Sequence, residues 1–126
     1  MPSPTVLHLP FPPSVNRIWR ISMKGKRPSV YLDKKYEAWK RECDGLLMAM
    51  RPRPRVPGHF SAVIHLDERR RRTNTDADNR IKPVLDWLQR AGVIDNDALA
   101  DDVTAYWADT TDGCTVALFP LAMEAA

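Results

Sequence analysis

The sequence predicts an α+β fold in which two main helices pack on one mixed β-sheet, as a single domain over residues 1–126 in the order β-α-β-α-β-β. Three observations predict it. Residues 59–67 carry an apolar residue at every second position, two separate stretches carry apolar residues at three- and four-residue spacing, and the chain ends in two further strand-like runs. With 126 residues, 44% of them apolar, the chain can support one core and not two.

Thr5 to Leu9 reads as a first short strand, and Pro10-Phe-Pro-Pro-Ser-Val-Asn-Arg-Ile-Trp-Arg follows as a loop that its prolines keep extended. A short strand is expected around Ser29 to Leu32. From Asp33, a plausible N-cap, Tyr36, Trp39, Cys43, Leu46, Leu47 and Met50 form one helical stripe, so the aromatic residues belong to a buried face. Arg51-Pro-Arg-Pro-Arg-Val-Pro cannot continue that helix. His59 to Asp67 is then a strand with Phe60, Ala62, Ile64 and Leu66 on its buried side. After Arg69-Arg-Arg-Arg72 and Thr73-Asn-Thr75, a second helix runs from about Asp78 to Ala91, with Ile81, Val84, Leu85 and Leu88 inward and Gly92 as its stop. Pro83, about five residues in, costs a hydrogen bond unless the first turn is irregular. Two closing strands, Asp102 to Asp109 and Cys114 to Leu121, are expected to join through a tight connection at Asp112-Gly113.

Charged residues make up 28% of the chain, and no apolar run approaches the roughly 18 to 20 residues of a membrane-spanning helix. The start lacks the basic and apolar segments of a secretory signal, so a cytoplasmic protein is expected. Net charge is only +3, yet residues 1–72 hold 16 Lys/Arg against 6 Asp/Glu and residues 73–126 hold 3 against 10. The first part is +10 and the second −7. A basic body suits a polyanionic partner and concentrated carboxylates suit a cation, although two such halves can also fold together and neutralise each other. Cys43 and Cys114 sit in apolar stretches without metal-ligand spacing, so they read as core, and His8, His59 and His65 as structural or solvent-facing.

Chemistry concentrates in Asp76-Ala-Asp78-Asn79-Arg-Ile-Lys82-Pro-Val-Leu-Asp86 and Gly92-Val-Ile-Asp95-Asn-Asp97. Asp76 and Asp78, two apart before a helix, can point their carboxylates the same way. Lys82 follows Asp78 by one turn, and Asp86 follows Lys82 by another, close enough to pair with it. The helix spans about 16 Å and residues 92–97 extend to about 17 Å, so Asp97 can return to the Asp76/Asp78 end. Three converging carboxylates with no His or Cys nearby would suit Mg²⁺, or Mn²⁺, with water and substrate oxygens completing the shell. Four arginines beside such a site make sense for a phosphodiester backbone, and Lys82 can stabilise charge on the reacting phosphorus. Each piece is ordinary alone: Asp78 suits an N-cap, Asp76 and Asp97 suit loops, and the arginines suit a solvated turn.

At these residues the sequence resembles the RusA-type Holliday junction resolvases, endodeoxyribonucleases common in bacteria and their prophages. Leu9-Pro-Phe-Pro-Pro-Ser-Val-Asn16-Arg17, the arginine run, Asp76, Asp78, Asn79 and Lys82 as D-x-D-N-x-x-K, and the later Gly92 and Asp97 carry the likeness over most of the chain. The resemblance implies a Mg²⁺-dependent homodimer that nicks opposing strands of a four-way DNA junction in recombination and repair. It implies Asp76, Asp78 and Asp97 as metal-binding catalytic carboxylates and Lys82 as the catalytic lysine. Asn16, Arg17, Arg69, Arg70, Arg71, Arg72 and Asn79 are the expected DNA contacts. Two departures bear on this. Thr73-Asn74-Thr75 lengthens the step from the arginine run to Asp76, and Asn96 stands where family members often have Asp, leaving Asp97, or Asp95, to serve. Other readings of the same residues are a nuclease for flaps or forks, and a non-catalytic DNA-binding protein whose affinity would not depend on the aspartates.

Overall fold

Strand β4, Phe60–Asp67, is the axis of the fold in the computed structural model. Its alternating side, Phe60, Ala62, Ile64 and Leu66, is fully buried. The structure describes residues 3–14, 19–22, 29–32, 34–73 and 75–121, without the side chains of 19–22 and 29–32. The expected Asp33 cap and the expected contacts Asn16 and Arg17 lie outside the described residues.

The elements are β1 (Thr5–Leu9), β2 (Trp19–Ser22), β3 (Ser29–Leu32), α1 (Lys34–Ala49), β4, α2 (Ile81–Arg90), β5 (Ala100–Ala108) and β6 (Cys114–Pro120). Strands β2 and β3 form a separate antiparallel pair. The remaining elements follow the predicted order, and their four strands make one mixed sheet, β1-β6-β4-β5. Strand β6 is antiparallel to β1 and β4, whereas β5 is parallel to β4.

That last pairing corrects the expected connection at Asp112-Gly113. β5 and β6 are not neighbours but flank β4, so the loop between them crosses the end of β4, where the Asp67 N–H donates to the Gly113 carbonyl at 3.1 Å. The cause is α2: a helix between two strands of one sheet makes a parallel crossover, so β5 leaves the sheet at the end where β4 left it.

Both helices cover the face carrying Leu7, Leu9, the buried side of β4, Val116 and Leu118. In α1 the buried residues are Tyr36, Trp39, Cys43 and Leu47, while Leu46, at the margin of the predicted stripe, is exposed. In α2 they are Pro83, Val84, Trp87 and Leu88, with Ile81 and Leu85 half-buried at the margin. The inward face thus includes Trp87, whose Nε1 donates to Asp44 Oδ1 on α1 at 2.8 Å. Pro83 costs no hydrogen bond, because a 3₁₀ turn at Asp78–Arg80 precedes α2 and leaves Pro83 in the helix's first turn, where N–H groups have no partner in the helix. Cys43 and Cys114 are buried free thiols, and burial pushes the Cys114 thiol up to about 12. Among the described residues no helix is long and apolar enough to cross a membrane.

Candidate active site

Because β4 and β5 are parallel, their C-terminal ends lie at one end of the sheet, and the start of α2 lies there too. This is where α/β units ordinarily gather ligand-binding loops. From Asp67 the chain makes a 3₁₀ turn at Glu68–Arg70, and the Thr75 N–H donates to the Arg72 carbonyl at 3.1 Å. Asp76 and Asp78 then line an open hollow of about 620 Å³ with Arg71, Tyr106 and Trp107. Both acids are exposed, and among the described residues neither carboxylate has a hydrogen-bond or ion-pair partner. Asn79 is half-buried in the 3₁₀ turn that follows.

The four arginines divide. Arg69 donates to the Asp67 carboxylate from its backbone N and its Nε, at 3.1 and 2.9 Å. Asp67 is buried, and the Arg69 side-chain hydrogen bond holds its carboxyl below the usual carboxylate range. Arg70 donates twice to Asp112 Oδ1, at 3.1 and 2.9 Å, which ties the arginine run to the loop before β6. Among the described residues Arg72 donates only to the carbonyls of Arg69 and Arg71. Arg71 stands 5.8 Å over the Trp107 ring, on the wall of the hollow with Asp76 and Asp78. The inserted Thr73-Asn-Thr75 therefore does not carry the whole run away from the acids. It leaves one guanidinium beside them and one, Arg72, exposed without an acidic partner among the described residues.

Lys82, exposed and one turn beyond Asp78, pairs with Asp86 Oδ2 at 3.5 Å. Asp97 lies elsewhere. Its N–H donates to Gln89 Oε1 at 3.0 Å near the far end of α2, and its 3₁₀ turn, capped by Asn96, runs into β5 at Ala100, opposite Phe60. The strand from Ala100 to Ala105 advances about 16 Å before it reaches the hollow, so within one chain Asp97 stands at the opposite end of the sheet from Asp76 and Asp78. The return that the spacing permits is not made. Asp95 is at the same far end, where it pairs with Arg55, and the Arg55 side-chain hydrogen bond lowers its pKa. Among the described residues no three His, Cys, Asp or Glu side chains are grouped to hold a metal ion. Asp76 and Asp78 still fit Mg²⁺ or Mn²⁺ by their chemistry, because such ions are commonly held by one or two carboxylates with waters and substrate phosphate oxygens.

Sequence reasoning missed the aromatic floor under the arginines. Phe11 and Trp107 stack with centroids 6.0 Å apart, and Arg80 lies over Phe11 at 5.0 Å. Arg80 also donates to the Pro12 carbonyl at 2.8 Å, anchoring the segment after β1 to the turn before α2. The available signal was Tyr106-Trp107, adjacent aromatics that a strand must send to opposite faces. The family described as endodeoxyribonuclease RusA matches residues 10–118. No curated protein matches the chain.

Proposed function

Since the chain belongs to the endodeoxyribonuclease RusA family and is therefore a DNA-cutting enzyme, we propose that it resolves four-way junctions by paired, Mg²⁺-dependent phosphodiester hydrolysis in DNA recombination and repair. The observation that carries the chemistry is the pair of carboxylates, Asp76 and Asp78, unpartnered among the described residues and in one hollow with Arg71. Two bare acids beside a guanidinium repel one another's charge less when a cation is shared between them and an anionic substrate is held at the arginine.

In this reading Asp76 and Asp78 hold Mg²⁺ or Mn²⁺, which when bound supplies positive charge beside the scissile phosphate and eases deprotonation of water. Arg71, steadied on Trp107, and Arg72 hold backbone phosphates, and Asn79 contacts the strand beside them. Among the described residues Lys82 makes only a long, exposed ion pair with Asp86, of a kind worth at most about 1 kcal/mol, so it can turn to a phosphate oxygen and stabilise developing charge. Arg69 and Arg70 act indirectly, by fixing the turn that presents Arg71.

The position of Asp97 bears on assembly. Two symmetric cuts in a two-fold junction call for two sites related by a two-fold axis, hence a homodimer. In such a dimer a second copy can bring its Asp97 to the Asp76/Asp78 pair, which the chain's own Asp97 does not reach. The enzyme then works as a dimer or not at all.

Incubation with a synthetic four-way junction and Mg²⁺ should give paired nicks, and Asp76→Asn or Asp78→Asn should abolish them while junction binding persists. Absence of cutting by the wild type under any divalent metal would overturn the proposal. Faster cutting of flaps or forks in competition would move the same site to those substrates.

A further inference from the structure

The segment between α1 and β4 takes no part in the chemistry above, yet it holds three exposed arginines, Arg51, Arg53 and Arg55, at alternate positions between prolines. Proline fixes φ, so Pro52, Pro54 and Pro57 narrow the shapes this segment can take. The guanidinium groups are also anchored. Arg51 Nη1 donates to the Met48 and Met50 carbonyls at 2.8 and 2.7 Å, where α1 ends. Arg53 Nη2 reaches the Ala91 carbonyl at 3.5 Å and Arg55 Nη1 the Val93 carbonyl at 3.4 Å, where α2 ends. A guanidinium has five N–H donors, and carbonyl contacts of this kind leave most of them for another ligand. Only Arg55 has an acidic partner among the described residues, Asp95.

The three arginines line an open trough of about 470 Å³ together with Thr5, Val6, Met50, Pro52 and Pro54. An extended chain advances about 3.3 Å per residue, so Arg53 and Arg55 stand roughly 6.5 Å apart, a step comparable with that between successive phosphates of one strand. Several cations spaced along one segment, with apolar residues between them, match a sugar-phosphate backbone better than a compact anion. It also lies at the Asp97 end of the sheet, through the Arg55–Asp95 pair and the Val56–Ile94 bridge. Each protomer thus has phosphate-binding chemistry at both ends of α2: Arg71 and Arg72 by Asp76 and Asp78, and Arg51 to Arg55 by Asp97.

We propose that the Arg51/Arg53/Arg55 trough is a second contact for the phosphodiester backbone of the DNA substrate, distinct from the arginine run before Asp76. The proposal rests on the nuclease reading, and its test separates the two. Binding of a fluorescent four-way junction, followed by anisotropy in Ca²⁺ across a salt series, is compared for wild type, R51Q/R53Q and R51K/R53K, with wild-type cleavage in Mg²⁺ measured in parallel. R51Q/R53Q should bind roughly tenfold more weakly at 0.1 M salt, with a log–log salt slope shallower by about two, and R51K/R53K should keep the wild-type slope. If R51Q/R53Q does not melt like the wild type, R53Q alone, which gives up only the 3.5 Å contact, should lower the slope by about one. A wild type that cuts the junction beside glutamine variants of unchanged affinity and slope overturns this proposal alone and leaves the trough to an acidic protein partner. A wild type that neither binds nor cuts branched DNA overturns both.

Discussion

Arg69 and Arg71 are two residues apart and chemically identical, but their neighbours give them different work. Arg71→Ala removes a cation from the wall of the hollow and should weaken junction binding several-fold, with a salt slope lower by about one, at an unchanged melting temperature. Arg69→Ala should instead lower the melting temperature, because it strips a buried carboxylate of its guanidinium. Asp67 adds a pH dependence. Its folded-state pKa lies below the unfolded value near 3.9, so its contribution to stability is complete above that value and is lost as pH falls through the folded pKa. In denaturant titrations, the stability gap between wild type and Asp67→Asn should hold steady above about pH 5 and close below about pH 4. A gap that widened in acid would refute this role. At this scale the sequence was legible where residue type alone decides, as in the D-x-D pair, and opaque where a partner decides. Asp67 and Asp112 choose among four equal arginines, and Asp112 reaches Arg70, 42 positions away, only through the folded loops at the end of β4.

Periodicity told which side of each element is buried, because burial follows directly from apolar spacing. It did not tell which elements are neighbours: β5 and β6 carry equally good strand patterns whether they pair or flank β4. What decides is the loop between them, which bonds to Asp67 at the end of β4 and packs tightly there. Gly113 has φ +113, and a Cβ there would lie 2.2 Å from the Leu9 carbonyl oxygen, so Gly113→Ala must push β1 from the loop that crosses β4. It should cost more than about 3 kcal/mol in unfolding experiments. Gly92 also has positive φ, +80, but nothing within 4 Å of its would-be Cβ. Gly92→Ala should cost only the backbone term, about 1–2 kcal/mol. Similar losses at the two sites would contradict the close approach of Gly113 to β1.

For the molecule as a whole, the helix between Asp78 and Asp97 acts as a spacer. The sequence allowed for a chain doubling back across that length, since reach sets only an upper bound, whereas the parallel pairing of β4 and β5 fixes the direction in which the chain must go. A site completed by a second copy predicts complementation. Asp78→Asn and Asp97→Asn homodimers should both be inactive, but a mixed dimer has one site carrying both lesions and one carrying neither. An equal mixture should therefore regain about a quarter of the wild-type sites, seen as single nicks rather than paired cuts. No recovery after subunit exchange would return all three acids to one chain. Metal binding should also raise the melting temperature by relieving repulsion at the carboxylates, and a titration with millimolar Mg²⁺ measures it directly.

The pairing of β1 with β6 also has a consequence for synthesis. Among the described residues β1 finds its sheet partner only in β6, so that His8 meets Thr115, 107 positions later. On the ribosome, the earliest strand of the sheet must wait for the last, and β4 emerges before either of its neighbours β5 and β6. The sheet that sets the spacing of the acids is thus closed late, after nearly every residue of the proposed site has left the exit tunnel. A prematurely released chain ending before Cys114 would carry the arginine run, Asp76, Asp78 and Asp97 without the strand that joins β1 to β4. It would be a target for proteolysis rather than an unregulated nuclease.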